Sequence, residues 1–295
     1  MNERVAGRLV FLGLPAFNEA AAIRPLFERI RQAQGKLVEA GLVDGLRVIL
    51  YDDGSTDGTA DEARLNSRDL DLSVLTPPHN GGLGVALQGI VTFFLRDAAE
   101  SDVLVVMDCD DTHDPGQIQQ LLEQMLTHGD DVVVASRYRR GTVISGVPVS
   151  RQVLSLGFAF LVKAILPMHG LRDYSCGYRS YSYAPLKAAA SNNQFILDEP
   201  GFAAMPEILI RLRGQGWKFG EIPLQLAYDQ RLTESKMRAW HNTIRLLKCV
   251  ARWRFTPPSN QVSLPSETDS PVDFVVETLT PDDLGKSSRI EKDPQ

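Results

Sequence analysis

Short apolar runs alternate with longer amphipathic segments through the first half of the chain. LVFLGL (9–14) and VLVVM (103–107) are almost entirely apolar, and each is followed by a segment with helical spacing of its apolar residues. Near-continuous apolar strands separated by helices indicate a buried parallel sheet. We therefore predict an α/β fold with a twisted, mostly parallel sheet and helices on both faces. The predicted strands are 9–14, 46–51, 72–75, 103–107 and 131–135, and the predicted helices are 19–40, 59–66, 84–97 and 115–127.

Distinctive polar segments follow these strands, and they form the predicted site because ligands of such sheets bind beyond the carboxyl ends of the strands. The segments read PAFNE, DDGSTDGT, DCDDTHD and SRYRRG. The adjacent Asp52 and Asp53 can accept hydrogen bonds from a base or a ribose. Asn18 and Glu19 fit helix capping as well as binding. The glycines of HNGGLG (79–84) let backbone approach a ligand before a helix N-terminus suited to anions.

Four carboxylates crowd the segment VVMDCDDTHDP (105–115), directly after a predicted buried strand. Like charges this close raise one another's pKa unless a cation lies among them. Asp108 and Asp110, two residues apart, can point the same way and offer the oxygen ligands that Mg²⁺ and Mn²⁺ prefer, with substrate phosphates completing the shell. The alternative is a solvated acidic turn. Asp114, before Pro115, also fits a helix cap.

Composition and charge narrow the class of protein. The 295 residues are 43% hydrophobic, no apolar run reaches the length of a membrane span, and the three cysteines give neither a disulfide framework nor a metal-type spacing. Without a signal-peptide pattern, we expect a cytoplasmic protein. Residues 1–136 carry ten Lys and Arg against 22 Asp and Glu, a net charge of −12, whereas residues 137–254 carry 18 against seven, a net charge of +11. This asymmetry predicts a cation bound by the first half and anions bound by the second.

Two segments of the second half combine apolar residues with scattered cations. The segment 149–166 is flanked by Arg137, Arg139, Arg172 and Arg179. The segment WHNTIRLLKCVARWRF (240–255) has the pattern of a helix on an anionic membrane, with Trp240 and Trp253 available for shallow insertion, or of a helix that docks on the sheet. Its predicted apolar face consists of Trp240, Ile244, Leu247 and Ala251. No nucleic-acid-binding motif is present, so we expect no nucleic acid partner.

Taken in order, these segments resemble the inverting family-2 glycosyltransferases of the GT-A fold, above all the dolichol-phosphate mannose synthases and their bacterial polyprenyl-phosphate counterparts. The resemblance continues in ASRYRRG (135–141), LRDYSCGYRSY (171–181) and EIPLQLAYDQRLTESKM (221–237), and thus covers residues 8–240. It implies a Rossmann-like GT-A catalytic domain. The predicted organisation is a catalytic domain over 1–240 with a donor half (1–136) and an acceptor half (137–240), a basic amphipathic helix (241–255), and an acidic, mobile tail (256–295) in which VDFVVETL (272–279) could dock as a strand.

The resemblance also implies roles for individual residues. Those implied to bind the nucleotide sugar are Pro15, Phe17, Glu19, Asp52, Asp53, Gly82, Asp108 and Arg231. The implied metal ligands are Asp108, Asp110 and Thr112, with threonine standing where these synthases often carry glutamine. The acceptor phosphate is assigned to Arg137, Arg172 and Ser175, and the catalytic group is Asp110, Arg137, Arg172 and Lys236.

The implied reaction is an inverting, metal-dependent transfer of a hexose from GDP-mannose or UDP-glucose to a polyprenyl or dolichyl phosphate. Mannose is favoured over glucose, Mg²⁺ or Mn²⁺ is the cofactor, and the protein would work at the anionic cytoplasmic face of a membrane. A phosphate acceptor needs no general base, because its second pKa near about 6 leaves it largely dianionic. One alternative is a soluble hydroxyl acceptor with Glu207 or Asp173 as the base. Another is a non-catalytic protein that binds nucleotide sugars.

Overall fold

The computed structural model describes residues 7–146, 149–191, 194–227, 239–256, 258 and 274–281. The strands are β1 (Leu9–Ala16), β2 (Gly45–Asp52), β3 (Asp71–Thr76), β4 (Val103–Val106), β5 (Val132–Ser136), β6 (Val143–Ser145), β7 (Arg179–Ser182), β8 (Phe219–Pro223), β9 (Gln225–Ala227) and β10 (Val275–Leu279). The helices are α1 (Ala20–Glu39), α2 (Thr59–Asn66), α3 (Leu83–Asp97), α4 (Ile118–His128), α5 (Val149–Ile165), α6 (Tyr183–Ala189), α7 (Ala204–Leu212) and α8 (Ala239–Phe255), with a 3₁₀ turn at Pro115–Gln117. Each strand and helix predicted in the first half is present, with nearly the same ends.

The core is an eight-stranded sheet in the order β10-β3-β2-β1-β4-β7-β5-β8. β3, β2, β1 and β4 pair in parallel, as do β5 and β8, whereas β7 and β10 run antiparallel to their neighbours. Because β4 and β5 are buried at every position, both faces of the sheet are covered. The predicted mostly parallel α/β fold is confirmed. The carboxyl ends of β1, β2, β4 and β5 meet at one edge, which is where a ligand binds in such sheets.

A close approach between α3 and β1 depends on a glycine. A Cβ at Gly13 would lie 2.5 Å from Ile90 Cγ2, so any larger residue in the middle of β1 would push α3 off the sheet. This contact brings the N-terminal end of α3 beside the carboxyl ends of β1 and β2, where the site residues lie.

The second half of the chain completes the sheet of the first half. β7 lies between β4 and β5 and pairs antiparallel with both, with Arg179 opposite Val106 and Val134. The amino end of β7 therefore lies at the carboxyl ends of β4 and β5. As a result, residues 175–178 from the acceptor half come directly beside the acidic segment that follows β4.

The chain returns near its C-terminus to the opposite edge of the sheet. β10 pairs antiparallel with β3, Arg64 Nε donates to Glu277 Oε2 at 2.8 Å, and Phe274 packs edge-on against Tyr51 with ring centroids 6.3 Å apart. Part of VDFVVETL (272–279) thus docks as a strand. The rest of the predicted acidic tail lies outside the described residues, apart from 256, 258, 280 and 281.

The helix α8 packs against α5, and its buried face differs from the prediction. Among its described side chains, the buried ones are Leu246, Cys249, Val250 and Trp253. Of the predicted apolar face, Leu247 is half-buried and Ala251 is exposed, so this face is not the one that packs on the protein. The side chains of Trp240 and Ile244 lie outside the description, and the role of the predicted face at a membrane stays a prediction. The expectation that Trp253 inserts into a membrane is wrong, because this indole is only 2% exposed. Within the described residues, no helix has the length and apolar character needed to cross a membrane.

Candidate active site

Four carboxylates from three strand ends converge on the buried thiol of Cys109. Burial raises the pKa of this thiol well above its usual value, and the negative charges around it raise it further. These charges belong to Glu19, Asp110, Asp108 and Asp52, which we call the acidic cluster. The cluster joins the segments after β1, β2 and β4, as their order in the sheet predicts.

Asp108 and Asp110 differ in exposure and in local contacts. The Asp108 carboxylate is 47% exposed, whereas Asp110 is buried. Asp110 Oδ1 accepts a hydrogen bond from the Thr112 hydroxyl at 2.7 Å, so Thr112 orients Asp110. Because the hydroxyl is the donor, the lone pairs of the Thr112 oxygen can still face a cation. In the described part of the chain, no three His, Cys, Asp or Glu side chains are arranged to hold a metal ion by themselves. Such a site suits Mg²⁺ or Mn²⁺ bound through one or two carboxylates with the remaining ligands supplied by a substrate.

The other two acids of the segment after β4 are paired with Arg29, a residue of α1 that the sequence reading did not single out. Arg29 Nη1 donates to Asp111 Oδ1 at 2.7 Å and to the Asp111 carbonyl at 3.1 Å, and Arg29 Nη2 lies 3.3 Å from Asp114 Oδ1. Asp114 also caps the 3₁₀ turn by accepting from Gly116 N, as predicted. The Arg29 guanidinium thus neutralises Asp111 and Asp114, whereas Asp108 and Asp110 belong to the acidic cluster.

Asp53 holds the glycine turn, which we define as residues 81–84. Its two carboxylate oxygens accept from Gly81 N at 2.7 Å and from Gly82 N at 2.8 Å. Burial raises the pKa of Asp53, and the two N–H donors oppose that rise. With both oxygens bonded to backbone, Asp53 supports the turn, which leaves Asp52 as the member of the pair that belongs to the acidic cluster.

The expectation that this turn offers free N–H groups to an anion is wrong for three of its residues. Gly81 and Gly82 donate to Asp53, and Gly84 N donates to the Pro200 carbonyl at 2.7 Å. The glycines are required for another reason. A Cβ at Gly84 would come 1.9 Å from the Glu199 carbonyl oxygen, and one at Gly82, whose φ is +85°, would come 2.7 Å from the Pro200 carbonyl oxygen. The implied contact of Gly82 with a nucleotide therefore cannot use its N–H.

The N-terminus of α1 is capped by the segment after β2. Asn18 N donates to Ser55 Oγ at 2.8 Å, Glu19 N to Thr59 Oγ1 at 2.9 Å, and Ala20 N to Asp57 Oδ2 at 3.0 Å. These bonds satisfy N–H groups that a helix start leaves without partners. The Glu19 side chain makes no capping bond, which removes the simplest structural explanation for it. Pro15 is half-buried in β1, and Phe17 is 39% exposed beside Glu19.

A basic pocket of about 620 Å³ opens after β5. It is lined by Arg137, Tyr138, Arg139, Arg140, Gly141, Thr142, Ile144 and Arg172. Arg140 was not singled out from the sequence, although it lies in the quoted ASRYRRG segment. Four guanidinium groups and no carboxylate make this lining suited to an anion such as a phosphate.

Two of the pocket arginines are held very differently. Arg137 forms a bidentate ion pair with Asp173, with Nε at 2.8 Å and Nη2 at 2.6 Å from its two oxygens, and Nη2 also donates to Ser175 Oγ at 2.5 Å. Arg172 is exposed, and the one bond of its guanidinium to the described residues is a long one, 3.4 Å to the Tyr138 carbonyl. Arg137 is therefore a fixed part of the pocket wall, held in place by Asp173 and Ser175, and Arg172 is the more adaptable of the two cations.

Neither of the residues proposed as a general base can act as one. Asp173 has no exposed surface; although burial alone raises the pKa of a carboxyl, the Arg137 charge and backbone N–H donors bring the pKa of Asp173 below its usual value. Glu207 is likewise buried, and it accepts from Asp198 N, Glu199 N and Arg211 Nε. Both carboxylates are structural.

The structure contradicts the predicted role of one more basic residue and does not test the roles of two others. Arg179 is fully buried and donates to the Met205 and Tyr174 carbonyls, so it cannot flank a lipid as expected. Arg231 and Lys236 lie outside the described residues. Their implied roles stay predictions.

Comparison with known proteins agrees with this geometry. A family model described as glycosyl transferase family 2 matches residues 12–188. The undecaprenyl-phosphate mannosyltransferase of Micrococcus luteus is 30% identical over 225 residues, which cover 76% of this chain and 85% of that protein. The polyprenol monophosphomannose synthase of Mycolicibacterium smegmatis is 28% identical over 81% of this chain and 84% of that protein.

A solved structure shares the fold at lower identity. It is glucosyl-3-phosphoglycerate synthase from Mycobacterium tuberculosis in complex with Mn²⁺, UDP and phosphoglyceric acid, with a TM-score of 0.59 and 22% identity over 93% of this chain and 88% of that one. Because the family model spans more than half of the chain and agrees with the fold, this chain belongs to glycosyl transferase family 2 and is a glycosyltransferase of the GT-A fold.

Proposed function

We propose that this protein catalyses the inverting, metal-dependent transfer of a hexose from a nucleotide diphosphate sugar to a polyprenyl phosphate. Mannose from GDP-mannose is the favoured donor, followed by glucose from UDP-glucose. Support comes from the names of two relatives, an undecaprenyl-phosphate mannosyltransferase and a polyprenol monophosphomannose synthase, which match over most of their own length.

The observation that carries the proposal is the position of the basic pocket beside the acidic cluster. A Cβ at Gly177 would lie 3.2 Å from Asp108 Oδ1, and Ser175, two residues earlier, bonds to Arg137 in the wall of the pocket. One short segment thus joins a carboxylate of the cluster to the arginines. An acceptor phosphate bound by the arginines would lie next to a donor bound at the cluster.

Asp108 and Asp110 are the residues that would hold the divalent cation. Their carboxylate oxygens fit Mg²⁺ or Mn²⁺, and Thr112 fixes the orientation of Asp110. A cation bound there neutralises the charge that develops on the departing diphosphate. The fold relative in complex with Mn²⁺ and UDP supports this part of the proposal.

The pocket arginines orient the acceptor for attack. Arg172 is exposed and has one long hydrogen bond to the described residues, so its guanidinium can pair with two phosphate oxygens, whereas Arg137 is fixed by Asp173. A phosphate dianion attacks without losing a proton, so the burial of Asp173 and Glu207 removes nothing that this reaction needs. A single in-line displacement at the anomeric carbon inverts its configuration.

An anionic membrane surface is the proposed partner of α5 and α8. Leu156 and Phe160 on α5 are 57% and 77% exposed, and Phe255 at the end of α8 is 87% exposed. Lys248 and Arg254 are exposed on α8, and neither helix contains an acidic residue. Exposed aromatic and aliphatic side chains beside cations fit a lipid interface, where each cation contributes about 1 kcal/mol. The proposed location is the cytoplasmic face of a membrane.

The test supplies purified protein with radiolabelled GDP-mannose or UDP-glucose, Mg²⁺ or Mn²⁺, and undecaprenyl phosphate, and measures label extracted into organic solvent. The matched variants are Arg172→Ala and Arg47→Ala, the second of which removes an arginine on β2 that pairs with Asp71 and Asp97. We expect Arg172→Ala to lose lipid transfer and keep slow hydrolysis of the sugar nucleotide, since water needs no phosphate clamp. If Arg172→Ala lost lipid transfer and hydrolysis equally while Arg47→Ala stayed active, Arg172 would bind the donor and not the acceptor phosphate.

A soluble phosphorylated acceptor is the competing outcome. The basic pocket could hold a small phosphorylated acid, and the fold relative is in complex with phosphoglyceric acid. A parallel reaction with phosphoglyceric acid in place of the lipid separates the two. Label that stays in the aqueous phase on that acid, with none in the organic phase, would overturn the lipid acceptor.

A further inference from the structure

The segment 195–200 connects the glycine turn to two helices, α3 and α7, through its backbone. On α3, Thr92 Oγ1 accepts from Phe195 N at 3.2 Å and Gln88 Oε1 accepts from Leu197 N at 2.8 Å. On α7, the Glu207 carboxylate accepts from the next two N–H groups. These bonds fix the segment along α3, so that its Glu199 and Pro200 carbonyls press against Gly84.

The side chain of Glu199 joins this segment to α8. Glu199 Oε2 accepts from Arg245 Nε at 2.9 Å, and Glu199 Oε1 accepts from Arg252 Nη2 at 3.1 Å. The Glu199 side chain is 7% exposed, whereas the two arginines are 54% and 52% exposed. A buried carboxylate thus uses both oxygens to bind two cations of a helix that belongs to the proposed lipid-facing side.

A continuous set of contacts runs from α8 to the donor side of the site. Glu199 is bonded to α8, the neighbouring Pro200 carbonyl accepts from Gly84 N, and the same turn donates two N–H groups to Asp53. Asp52, the residue directly before Asp53 in the chain, belongs to the acidic cluster. The glycine turn is therefore held between Asp53 on one side and the 195–200 segment on the other.

We propose that Glu199 is a positioning residue that sets the affinity for the donor nucleotide by anchoring the glycine turn to α8. The proposal rests on the proposed function in one respect, namely that a nucleotide binds at Asp52 and the glycine turn. If the turn shifts away from Asp53, binding of the nucleotide becomes weaker by the same amount in the ground state and in the transition state. Loss of this kind raises KM and leaves kcat nearly unchanged.

The test compares Glu199→Gln with the conservative Glu199→Asp and with the control Glu277→Gln. Glu277 also pairs with an arginine at 2.8 Å, but on β10, away from the turn. Binding of UDP and of GDP is measured by calorimetry with Mn²⁺, together with KM and kcat for the sugar nucleotide and the melting temperature. For Glu199→Gln we expect about 3- to 10-fold weaker nucleotide binding and an equal rise in KM, the size that the net loss of one ordinary hydrogen bond would give.

Four further outcomes decide the proposal. Glu199→Asp should restore most of the affinity, and Glu277→Gln should keep all of it. The double variant Arg245→Gln/Arg252→Gln should show the same rise in KM as Glu199→Gln, and combining all three changes should add nothing, because the groups act as one unit. If Glu199→Gln fails to fold, the double variant tests the same ion pairs through substitutions of exposed residues.

Unchanged nucleotide affinity in Glu199→Gln and in the double variant, with wild-type binding intact, would overturn the positioning role. A fall in kcat at constant KM would also overturn it. If the wild-type protein bound neither UDP nor GDP, the proposed function itself would fail, which is a different result.

Discussion

Arg29 Nη1 lies 2.7 Å from Asp111 Oδ1, an ion pair that joins α1 to the segment carrying the proposed metal ligands. Asp111 adopts a left-handed backbone conformation with φ of +59°, which is uncommon for a residue other than glycine. The Asp111 side chain is 9% exposed. The ion pair therefore holds a buried carboxylate in a strained position beside Asp110.

Removing this cation should destabilise the protein. We expect Arg29→Met to lower the free energy of unfolding by about 1–3 kcal/mol, because the Asp111 carboxylate is left buried without its partner. Adding Asp111→Asn should restore most of the loss, since asparagine tolerates a left-handed backbone and carries no charge. Chemical denaturation measures both. The control is Arg24→Met on the same helix, where the exposed Arg24–Glu28 pair at 3.6 Å predicts a change below about 0.5 kcal/mol. An Arg29→Met variant as stable as this control would contradict the interpretation.

Neutralising Asp110 should separate activity from stability. Asp110→Asn should reduce transfer by about 100-fold or more, as expected for losing a group that supports transition-state charge. The melting temperature should stay the same or rise, because the change relieves repulsion within the acidic cluster. EDTA should abolish transfer by the wild-type protein, and Mn²⁺ or Mg²⁺ should restore it. Full activity after EDTA treatment would rule out a metal-dependent reaction.

Asp52 and Asp53 should differ in their response to the same substitution, because only Asp53 supports the glycine turn. Asp52→Asn should weaken binding of UDP or GDP at unchanged stability, because its carboxylate belongs to the acidic cluster. Asp53→Asn should lower the melting temperature, since an amide has one acceptor oxygen for the two N–H groups of Gly81 and Gly82. Calorimetry and thermal unfolding of both variants test this. If Asp52→Asn bound each nucleotide as the wild type does, Asp52 would have no place in the donor site.

Asp173 should contribute stability that depends on pH. Its pKa is lowered in the folded state, so the contribution is present above the unfolded value of about 3.9 and is lost as the pH falls through the lower folded value. Asp173→Asn should cost about 3 kcal/mol at pH 7, because Arg137 loses its buried partner. Denaturation at pH 7 and pH 3 should show the difference from the wild type shrinking at pH 3. A difference of equal size at both values would mean that the ion pair is not its source.

Exposed cations of α8 should govern attachment to anionic lipid. Lys248→Glu combined with Arg254→Glu should weaken sedimentation with vesicles that contain phosphatidylglycerol, and added salt should weaken it for the wild type. Arg245 is left intact because its pairing with Glu199 would confuse the result. The control is Lys36→Glu with Arg24→Glu on α1. Equal binding to neutral and anionic vesicles would remove the electrostatic part of the proposal.

The first five strands could be predicted because each is a mostly apolar run that alternates with a segment of helical pattern. β7 and β8 could not, since RSYS and FGEIP are short and partly polar, and their positions depend on pairing with distant strands. A short segment offers no periodic signal from which its neighbours in the sheet could be deduced.

The acidic cluster could also be predicted, because its members follow strands whose ends must meet. The partners of individual polar groups could not. Asp53 bonds to N–H groups 28 and 29 residues away, and Arg29 reaches Asp111 across 82 residues. The sequence implied that Gly82 and Asp53 contact a nucleotide, but it could not show that they also bind each other. Trp253 was misjudged in the same way, because an amphipathic pattern does not say whether its apolar side meets lipid or protein.

β10 is separated by 205 residues from the strand that it covers, measured from Ser73 to Thr278. At a synthesis rate of about 5–20 residues per second, the outer edge of β3 stays uncovered for about 10–40 s while the rest of the chain is made. During that interval a row of unpaired N–H and C=O groups is open to any other extended chain. β10 is the last of the described strands to be synthesised, and its pairing covers this edge. C-terminal truncation should therefore lower the yield of native protein in the cell even where the site itself is intact.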